Sequence, residues 1–206
     1  MMDKKTGMEI NIERLQQQFA FIQEIDKEKT IFRQTYLSDA SRKENDAEHA
    51  WHMAVMAILL SEYSNEKIDV LKTVSMILVH DLVEIYAGDT YAYDSAGNND
   101  KAEREIKAAD KLFALLPDDQ RDKMRALWDE FETGSSPEAK FAITMDRIQP
   151  LMLNNASGGR SWQEHDVKTS QVYGRNTTTG QGSEVLWKYA DENFLKPNIG
   201  KALKVE

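Results

Sequence analysis

Cysteine is absent from this chain of 206 residues, which excludes disulfide bonds and thiolate metal ligands and is typical of a reducing compartment. Basic residues are also few, since 26 Lys and Arg stand against 35 Asp and Glu and leave a formal net charge of -9. Binding to nucleic acid or to an anionic membrane surface requires clustered Lys and Arg, so we expect neither as the main partner. An acidic substrate must then be held locally, by a metal ion or a few arginines.

Long apolar runs are lacking as well. No stretch approaches the roughly 20 apolar residues of a membrane-spanning helix, and residues 1–22 have no apolar core like that of a signal peptide. We therefore expect an intracellular, cytoplasmic protein. Because 41% of the residues are hydrophobic and no linker or repeat is visible, we predict a single domain over residues 1–206, with its core at about residues 10–155 and a helical extension over 156–206.

Apolar residues recur at steps of three and four along most of the chain, which favours helices. The first such stretch runs from Met8 to about Lys27, and its apolar stripe is expected to pack on another surface, which the pattern does not identify. Residues 30–45 are predicted to be a helix end followed by a loop. Because no segment shows a convincing strand pattern, we predict an all-α, single-domain helical bundle. The apolar stripe of the first helix comprises Ile12, Leu15, Phe19, Ile22 and Ile25.

Two helix starts are marked by local sequence. Asn45 followed by Glu48 has the spacing of a capping box, which predicts a helix from Asp46 to about Tyr63 with His49 in its first turn. A Ser-Pro-Glu sequence at 136–138 predicts a helix that carries Asp146 on an otherwise apolar face. Beyond it, residues 156–183 are predicted to be a polar excursion with one short helix near 167–173, followed by a last helix over 184–195 and a loose tail.

The stretch from Val70 to Gly88 places His80, Asp81 and Glu84 inside an apolar helical run. Burying an ionised carboxylate without a partner costs several kcal/mol or more, so the chain must supply compensation, and a metal ion serves all three side chains. On a continuous helix His80 and Glu84 are four residues apart and share one side. Gly88 is expected to end this helix, with Asp89 directly after it.

The candidate metal ligands are two imidazoles and two carboxylates: His49, His80, Asp81 and Asp146. This set of nitrogen and oxygen donors suits one divalent ion, such as Mn, Co, Fe, Zn or Mg, and does not identify it. From the residues alone the alternative stays open that His49 only caps a helix and Asp146 pairs with a neighbouring arginine. Of the other histidines, we expect His52 on a helix surface or in the core, and the His165-Asp166 doublet solvated and unpaired.

Two blocks of the sequence, RKENDAEH from Arg42 to His49 and HDLVEIYAGD from His80 to Asp89, match a known pattern together with Asp146. The order H, HD, D on a helical chain of this size resembles the HD-domain metal-dependent phosphohydrolase superfamily. More narrowly, the two blocks are similar to the R-x-E-N-x-x-E-H and H-D-x-x-E-x-x-x-G-D blocks of its 5'-deoxynucleotidase branch. The similarity runs from about Ile12 to Asp146.

The resemblance implies that the four candidate ligands hold one divalent ion and that Glu84 and Asp89 line the catalytic pocket, with Asp89 at the sugar hydroxyl. It also implies an arginine that holds phosphate, for which Arg33 is the match and Arg42 the second candidate. In the characterised branch an aromatic residue follows that arginine, whereas Gln34 follows here, so the resemblance does not extend to sugar preference. Members of the branch form homodimers, which we expect here too.

The function implied is hydrolysis of a phosphate monoester, a (deoxy)nucleoside 5'-monophosphate in particular, with Glu84 orienting or deprotonating the attacking water. Two alternatives stay open. An HD pyrophosphohydrolase acting on nucleoside triphosphates or a signalling nucleotide would require more Lys and Arg near the pocket. A non-catalytic binding module would use the metal only to stabilise its fold and would have no need of Glu84.

Overall fold

The computed structural model describes residues 11–93 and 100–206, and these are mostly helical. No helix in these two ranges is long and apolar enough to cross a membrane. The α-helices are α1 (Ile12–Ile25), α2 (Asp46–Leu60), α3 (Val70–Val79), α4 (Glu84–Ala87), α5 (Lys101–Phe113), α6 (Asp118–Thr133), α7 (Pro137–Ala156), α8 (Arg160–Glu164), α9 (Thr169–Arg175) and α10 (Glu184–Ala190). Short 3₁₀ segments lie at Asp26–Thr30, Ser61–Tyr63, Thr179–Gln181 and Lys196–Asn198, and a π segment at Asp191–Leu195.

A short hairpin replaces the helix end and loop that the sequence predicts for residues 30–45. Strand β1 (Phe32–Tyr36) pairs antiparallel with β2 (Lys43–Asn45). The pattern was missed because β1 is five residues long and mixes aromatic, charged and amide side chains, so it has no clear alternation. The fold is therefore mostly helical, as predicted, with this hairpin as an addition. The hairpin ends at the residue that caps α2.

The predicted start of α2 is confirmed by both hydrogen bonds of a capping box. The backbone N–H of Glu48 donates to the Asn45 side chain at 2.9 Å, and the backbone N–H of Asn45 donates to the Glu48 carboxylate at 3.1 Å. These bonds satisfy amide groups that the first turn of a helix leaves unpaired. His49 follows directly, fully buried, in the first turn of α2.

The predicted continuous helix from Val70 to Gly88 is interrupted at the His80-Asp81 doublet. After α3 ends at Val79, the backbone N–H groups of residues 82, 84, 85 and 86 donate to carbonyls three positions earlier, which is the 3₁₀ pattern. With three residues per turn, Asp81 and Glu84 lie on the same side of this segment. Helix α4 then ends at Gly88, whose φ of +77° is the left-handed conformation that the prediction required.

Most of the apolar stripe of α1 points outward, so the surface on which it is predicted to pack is not found among the described residues, and Met8, where the predicted helix starts, lies outside them. Ile12, Leu15, Phe19 and Ile22 are between 41% and 61% exposed. The helix is instead anchored by the side chain of Phe21, which is buried with its ring centroid 6.5 Å from that of Phe113. A periodic pattern identifies the apolar face of a helix but not what covers it.

The segment after residue 156 packs into the core, so the predicted polar excursion and loose tail are corrected. It forms two helices, α8 and α9, where one was predicted, and it joins the apolar cluster that contains Met53 and Met145. The apolar residues here are spaced too widely to show a helical period. The buried members that it contributes are Trp162, Val167, Val172, Ala190, Leu195, Ala202 and Leu203.

The packing of the C-terminal segment is tested by two neighbouring glycines that both have left-handed backbone, Gly158 at φ +69° and Gly159 at φ +72°. A Cβ on Gly158 meets nothing within 4 Å, whereas a Cβ on Gly159 would lie 2.2 Å from the Cβ of Ala202. Gly158→Ala should therefore lower the unfolding free energy by about 1 kcal/mol, because only the strain of a left-handed alanine is added. Gly159→Ala should lower it by about 1–3 kcal/mol more, because the new Cβ also overlaps with Ala202. Chemical denaturation of both variants measures the difference, and equal losses would contradict the observed packing of Ala202.

Candidate metal centre

Four side chains from three parts of the fold meet in the interior, and they are the four candidate ligands. Nε2 of His49 on α2 lies 3.2 Å from Oδ1 of Asp146 on α7. Nε2 of His80 lies 3.0 Å from Oδ2 of Asp81 and 3.9 Å from the same Asp146 oxygen. One donor atom each of His49, His80 and Asp81 lie within 4.8 Å of one another, as ligands of a single ion must. The structure thus brings all four together.

In each imidazole, Nδ1 is held by a hydrogen bond to a group outside the cluster, and this bond orients the ring so that Nε2 faces the cluster. Nδ1 of His80 lies 2.7 Å from the carbonyl oxygen of Ile77, and Nδ1 of His49 lies 3.0 Å from Oε1 of Gln149. Carbonyl oxygens only accept hydrogen bonds, so both Nδ1 atoms carry a proton, and in the neutral form of each ring Nε2 turns its lone pair toward carboxylate oxygens. Two lone pairs repel unless a proton or a cation lies between them. The donor set therefore fits a cation at this point.

Gln149 is a part of the site that the sequence analysis missed. It is fully buried on α7, and besides accepting from His49 its Nε2 donates to the buried Glu44 carboxylate at 2.9 Å. This second bond determines the orientation of the amide, so that its oxygen faces His49. A hydrogen-bonded partner of this kind holds a ligating histidine in one tautomer and orientation. The available signal was a polar residue three positions after Asp146 in an otherwise apolar run.

Buried carboxylates govern the charge of the cluster. Burial lowers the pKa of His49 and so does the charge of Arg33, yet hydrogen bonds to Asp146 and Glu44 raise that pKa to about 9 overall. Burial raises the pKa of Asp146, but the hydrogen bond with His49 and the charge of Arg147 hold it well below its usual range. The cluster thus favours positive charge between its carboxylates, which is the charge that a divalent ion supplies.

Arg33 reaches the cluster from β1, beside the candidate ligands. Its Nη1 donates to Oδ2 of Asp81 at 2.7 Å and to Oδ1 of Asp46 at 3.1 Å. Asp46 is fully buried, and its burial, followed by the charge of Asp81, raises its pKa to about 7. Arg33 therefore lies where the sequence places a phosphate-binding arginine, but part of its hydrogen-bonding capacity is already used by carboxylates.

A cavity of about 210 Å³, partly open to solvent, borders the cluster and is lined by Glu84 and Asp89. Glu84 is buried and its Oε2 has no hydrogen-bond partner among the described residues. Burial, followed by the charge of Asp81, raises the pKa of Glu84 well above its usual range. Burial also raises the pKa of Asp89. Both carboxylates thus face the space where a substrate would lie, with Glu84 free to accept a hydrogen bond.

Arg42 lies outside the cavity, so its prediction as a second phosphate-binding arginine is corrected. Its guanidinium donates two hydrogen bonds to the Glu48 carboxylate, at 2.6 and 2.8 Å, and its side chain is 50% exposed. Glu48 is the acidic partner in the capping box of α2. Arg42 therefore supports the start of that helix, and its position in the matching sequence block reflects this contact.

The two other histidines lie outside the four-residue cluster. His52 is half-buried, with its Nδ1 3.3 Å from Nε2 of Gln149, so it lies on a helix flank as predicted. His165 is exposed, but the prediction that its doublet is unpaired is wrong. Its ring lies 4.4 Å from that of Tyr91, and its Nε2 lies 3.1 Å from Oε1 of Gln34. Gln34 and Tyr91 both line the cavity, so His165 lies beside its rim.

Comparison with known proteins is consistent with this geometry. The family model described as HD domain matches residues 25–187. The chain belongs to the HD domain family. Human 5'-deoxynucleotidase HDDC2 is 33% identical over 114 residues, which are 55% of this chain and 54% of that protein. The Danio rerio protein of the same name is 34% identical over 109 residues, 53% of each chain. The chain spans about half the length of the curated relatives it matches.

A solved structure resembles this HD domain over nearly all of its length. It is a predicted metal-dependent phosphohydrolase from Magnetospirillum magnetotacticum MS-1, with 47% identity, a TM-score of 0.84, and coverage of 90% of this chain and 93% of that one. The family suggested by the two sequence blocks is thereby confirmed. The likeness extends past Asp146, where the sequence comparison by motif had ended, and includes most of the C-terminal segment that packs into the core.

The role of Gln149 in this HD domain is tested by Gln149→Leu, which keeps the approximate volume but removes the acceptor for His49. We expect the affinity for a divalent ion to fall about 10- to 100-fold, because the imidazole loses its fixed tautomer and orientation. Titration of metal-depleted protein with the ion measures this, with exposed Gln163→Leu as the control. Unchanged affinity in a folded Gln149→Leu variant would contradict the assignment.

Proposed function

We propose that this protein is a phosphohydrolase that cleaves (deoxy)nucleoside 5'-monophosphates to nucleoside and phosphate. The observation that carries the proposal is the buried carboxylate of Glu84, which faces the same cavity as the candidate metal cluster and whose Oε2 has no hydrogen-bond partner in residues 11–93 and 100–206. The names of the HDDC2 relatives and of the Magnetospirillum protein support this class of reaction. A structural metal site would leave such a carboxylate without a purpose.

The proposed cofactor is one divalent ion held by His49, His80, Asp81 and Asp146. Two nitrogen and two oxygen donors leave coordination positions for water and substrate. This donor set is compatible with Mn, Co, Fe, Zn or Mg and does not select one of them. When bound, such an ion supplies Lewis acidity toward water and toward a phosphoryl oxygen. Every other proposed step is carried by side chains of the protein.

Glu84 is the proposed general base. Its carboxylate can accept the proton of the water that attacks phosphorus, and its raised pKa makes it a stronger base than an exposed glutamate. Arg33 holds Asp81 and Asp46 in place and presents its remaining N–H groups to the phosphate. Asp89, which lines the same cavity, would accept a hydrogen bond from a sugar hydroxyl.

One observation favours a second candidate, hydrolysis of nucleoside triphosphates or of a signalling nucleotide. That alternative requires additional cations near the pocket, and Lys101, Arg147 and Arg175 line the cavity besides Arg33. Assaying monophosphates against triphosphates with the same protein separates the two reactions. The alternative of a non-catalytic module is disfavoured by the free Glu84 carboxylate.

The chemical role of Glu84 is tested by Glu84→Gln, which preserves volume and hydrogen bonding but removes basicity. We expect the variant to fold, to retain its metal and to lose roughly 10²- to 10⁴-fold in kcat, the range for removal of a general acid or base. Activity on a nucleoside monophosphate is measured per bound ion, and depletion of the ion should abolish it in both proteins. Unchanged activity per ion would refute the proposed role.

We also propose a homodimer formed through the exposed apolar stripe of α1. Ile12, Leu15, Phe19 and Ile22 lie at steps of three and four on one face of this helix, and exposed apolar stripes of this kind often mark protein interfaces. A cytoplasmic location, without nucleic-acid or membrane partners, stays a proposal that rests on the acidic, cysteine-free composition.

The dimer is tested by Phe19→Glu, because Phe19 is the most exposed member of the stripe at 61%. Placing a charge in an apolar interface should shift the protein from dimer to monomer, as measured by light scattering after size-exclusion chromatography. The control is Gln23→Glu, also on exposed surface of α1. A wild-type protein that is already monomeric at micromolar concentration would exclude the interface.

A further inference from the structure

Four arginine and lysine side chains line the cavity in the described part of the chain, and they differ in what they contact. Arg33 is engaged by Asp81 and Asp46, as described above. Lys101 has its Nζ 3.3 Å from Oε1 of Glu105. These two cations are therefore largely balanced by carboxylates of the protein itself, which leaves less of their charge for a ligand.

Arg147 and Arg175 differ from these two in having no carboxylate within hydrogen-bond distance among the described residues, although the charge of Asp146 acts on both. The nearest carboxylate contact of Arg147 is 3.9 Å, from its Nε to Oδ2 of Asp146, which is too long for a hydrogen bond. The side chain is 22% exposed, and its buried Nε and Nη1 have no hydrogen-bond partner in the part of the chain that the structure describes. Arg175 ends α9, and within the described residues it forms no ion pair within 4.0 Å.

The positive charges of Arg147 and Arg175 also repel each other. Burial lowers the pKa of Arg175, and the neighbouring charge of Arg147 lowers it further. Both cations are half-buried and line one cavity, which raises the free energy of the unliganded protein, and the N–H groups of Arg147 that lack acceptors add to that cost. An anion between them would remove both penalties. Because Arg147 directly follows Asp146 on α7, such an anion would lie next to the candidate metal cluster.

We propose that Arg147 and Arg175 form an anion subsite that binds the phosphate group of the substrate and the inorganic phosphate released from it. Guanidinium groups match the oxygen geometry of phosphate and form charge-assisted hydrogen bonds with it. The subsite itself rests on the cavity and its contacts, while the identity of the phosphate as that of a nucleotide rests on the proposed function. An acidic protein thereby presents unbalanced positive charge at one point of its cavity.

The subsite is tested first by binding of inorganic phosphate to metal-loaded protein, measured by calorimetry, in Arg147→Gln and Arg175→Gln. Each substitution should weaken phosphate binding about 10- to 100-fold, the loss expected for charge-assisted hydrogen bonds. Arg175→Lys should retain part of the affinity. Arg121→Gln, which removes an exposed guanidinium from α6, is the control for net charge. Metal content is measured in every variant and should not change.

A second readout separates binding from a structural role. Without phosphate, Arg175→Gln should melt at or above the wild-type temperature, because one of two like charges in the cavity is removed, and phosphate should stabilise both glutamine variants less than it stabilises the wild type. Phosphate affinity within twofold of wild type in both variants would overturn the proposal. So would a lower melting temperature of Arg175→Gln without phosphate, combined with stabilisation by phosphate equal to that of the wild type.

Kinetics with a nucleoside monophosphate distinguish this proposal from the proposed function. A raised KM with a smaller change in kcat is expected for both variants if the phosphate of the substrate lies in the subsite. If no nucleotide is hydrolysed but phosphate binding is lost in the variants, the proposed function fails and the anion subsite stands. If nucleotides are hydrolysed with unchanged KM and unchanged phosphate affinity, the subsite alone is refuted.

Discussion

Repulsion among buried carboxylates is the constraint on which the rest of this structure depends. Asp46, Asp81, Glu84 and Asp146 are gathered in one interior region, where each would be costly without compensation. The chain supplies part of that compensation through Arg33 and through two imidazoles whose tautomers are fixed from outside the cluster. The geometry leaves a point between Nε2 atoms and carboxylate oxygens that fits a cation. This electrostatic imbalance is the physical basis of the metal binding and catalysis that we propose.

The fold positions these groups through short local backbone structures, namely a helix cap and a 3₁₀ turn. The capping box places His49 in the first turn of α2, and the 3₁₀ turn after α3 places Asp81 and Glu84 on one side. Helix α7 contributes Asp146 and Gln149 from consecutive turns of one face. The C-terminal segment is part of the same arrangement, because it packs into the core and carries Arg175 to the cavity. Stability and function therefore draw on the same helices.

The sequence was informative where local chemistry decides the structure. The Asn45–Glu48 spacing and the position of Gly88 identify helix ends, because caps and left-handed glycines depend on neighbouring residues alone. Apolar context around His80 and Asp81 indicates a buried charged site for the same reason. The sequence could not show that the helix tightens there, since the apolar pattern runs on through the doublet to Ile85.

Features that depend on distant contacts escaped prediction. Nothing in the spacing of Arg147 and Arg175 links them, because only the fold of α7 and α9 brings them to one cavity. Arg42 matched a motif, yet its role is set by the nearby carboxylate of Glu48. The stripe of α1 was recognised as apolar, but whether such a face meets the same chain or a second copy is a tertiary or quaternary question.

The account's central claim is that one cation lies among His49, His80, Asp81 and Asp146. Anomalous X-ray scattering from crystals of the metal-loaded protein, recorded on both sides of the absorption edge of the added ion, tests it most directly. The account predicts one strong anomalous peak within about 2.0–2.3 Å of both Nε2 atoms and of one oxygen from each carboxylate. A peak at His52 or His165 instead, with no ion between Nε2 of His49 and Oδ1 of Asp146, would contradict it.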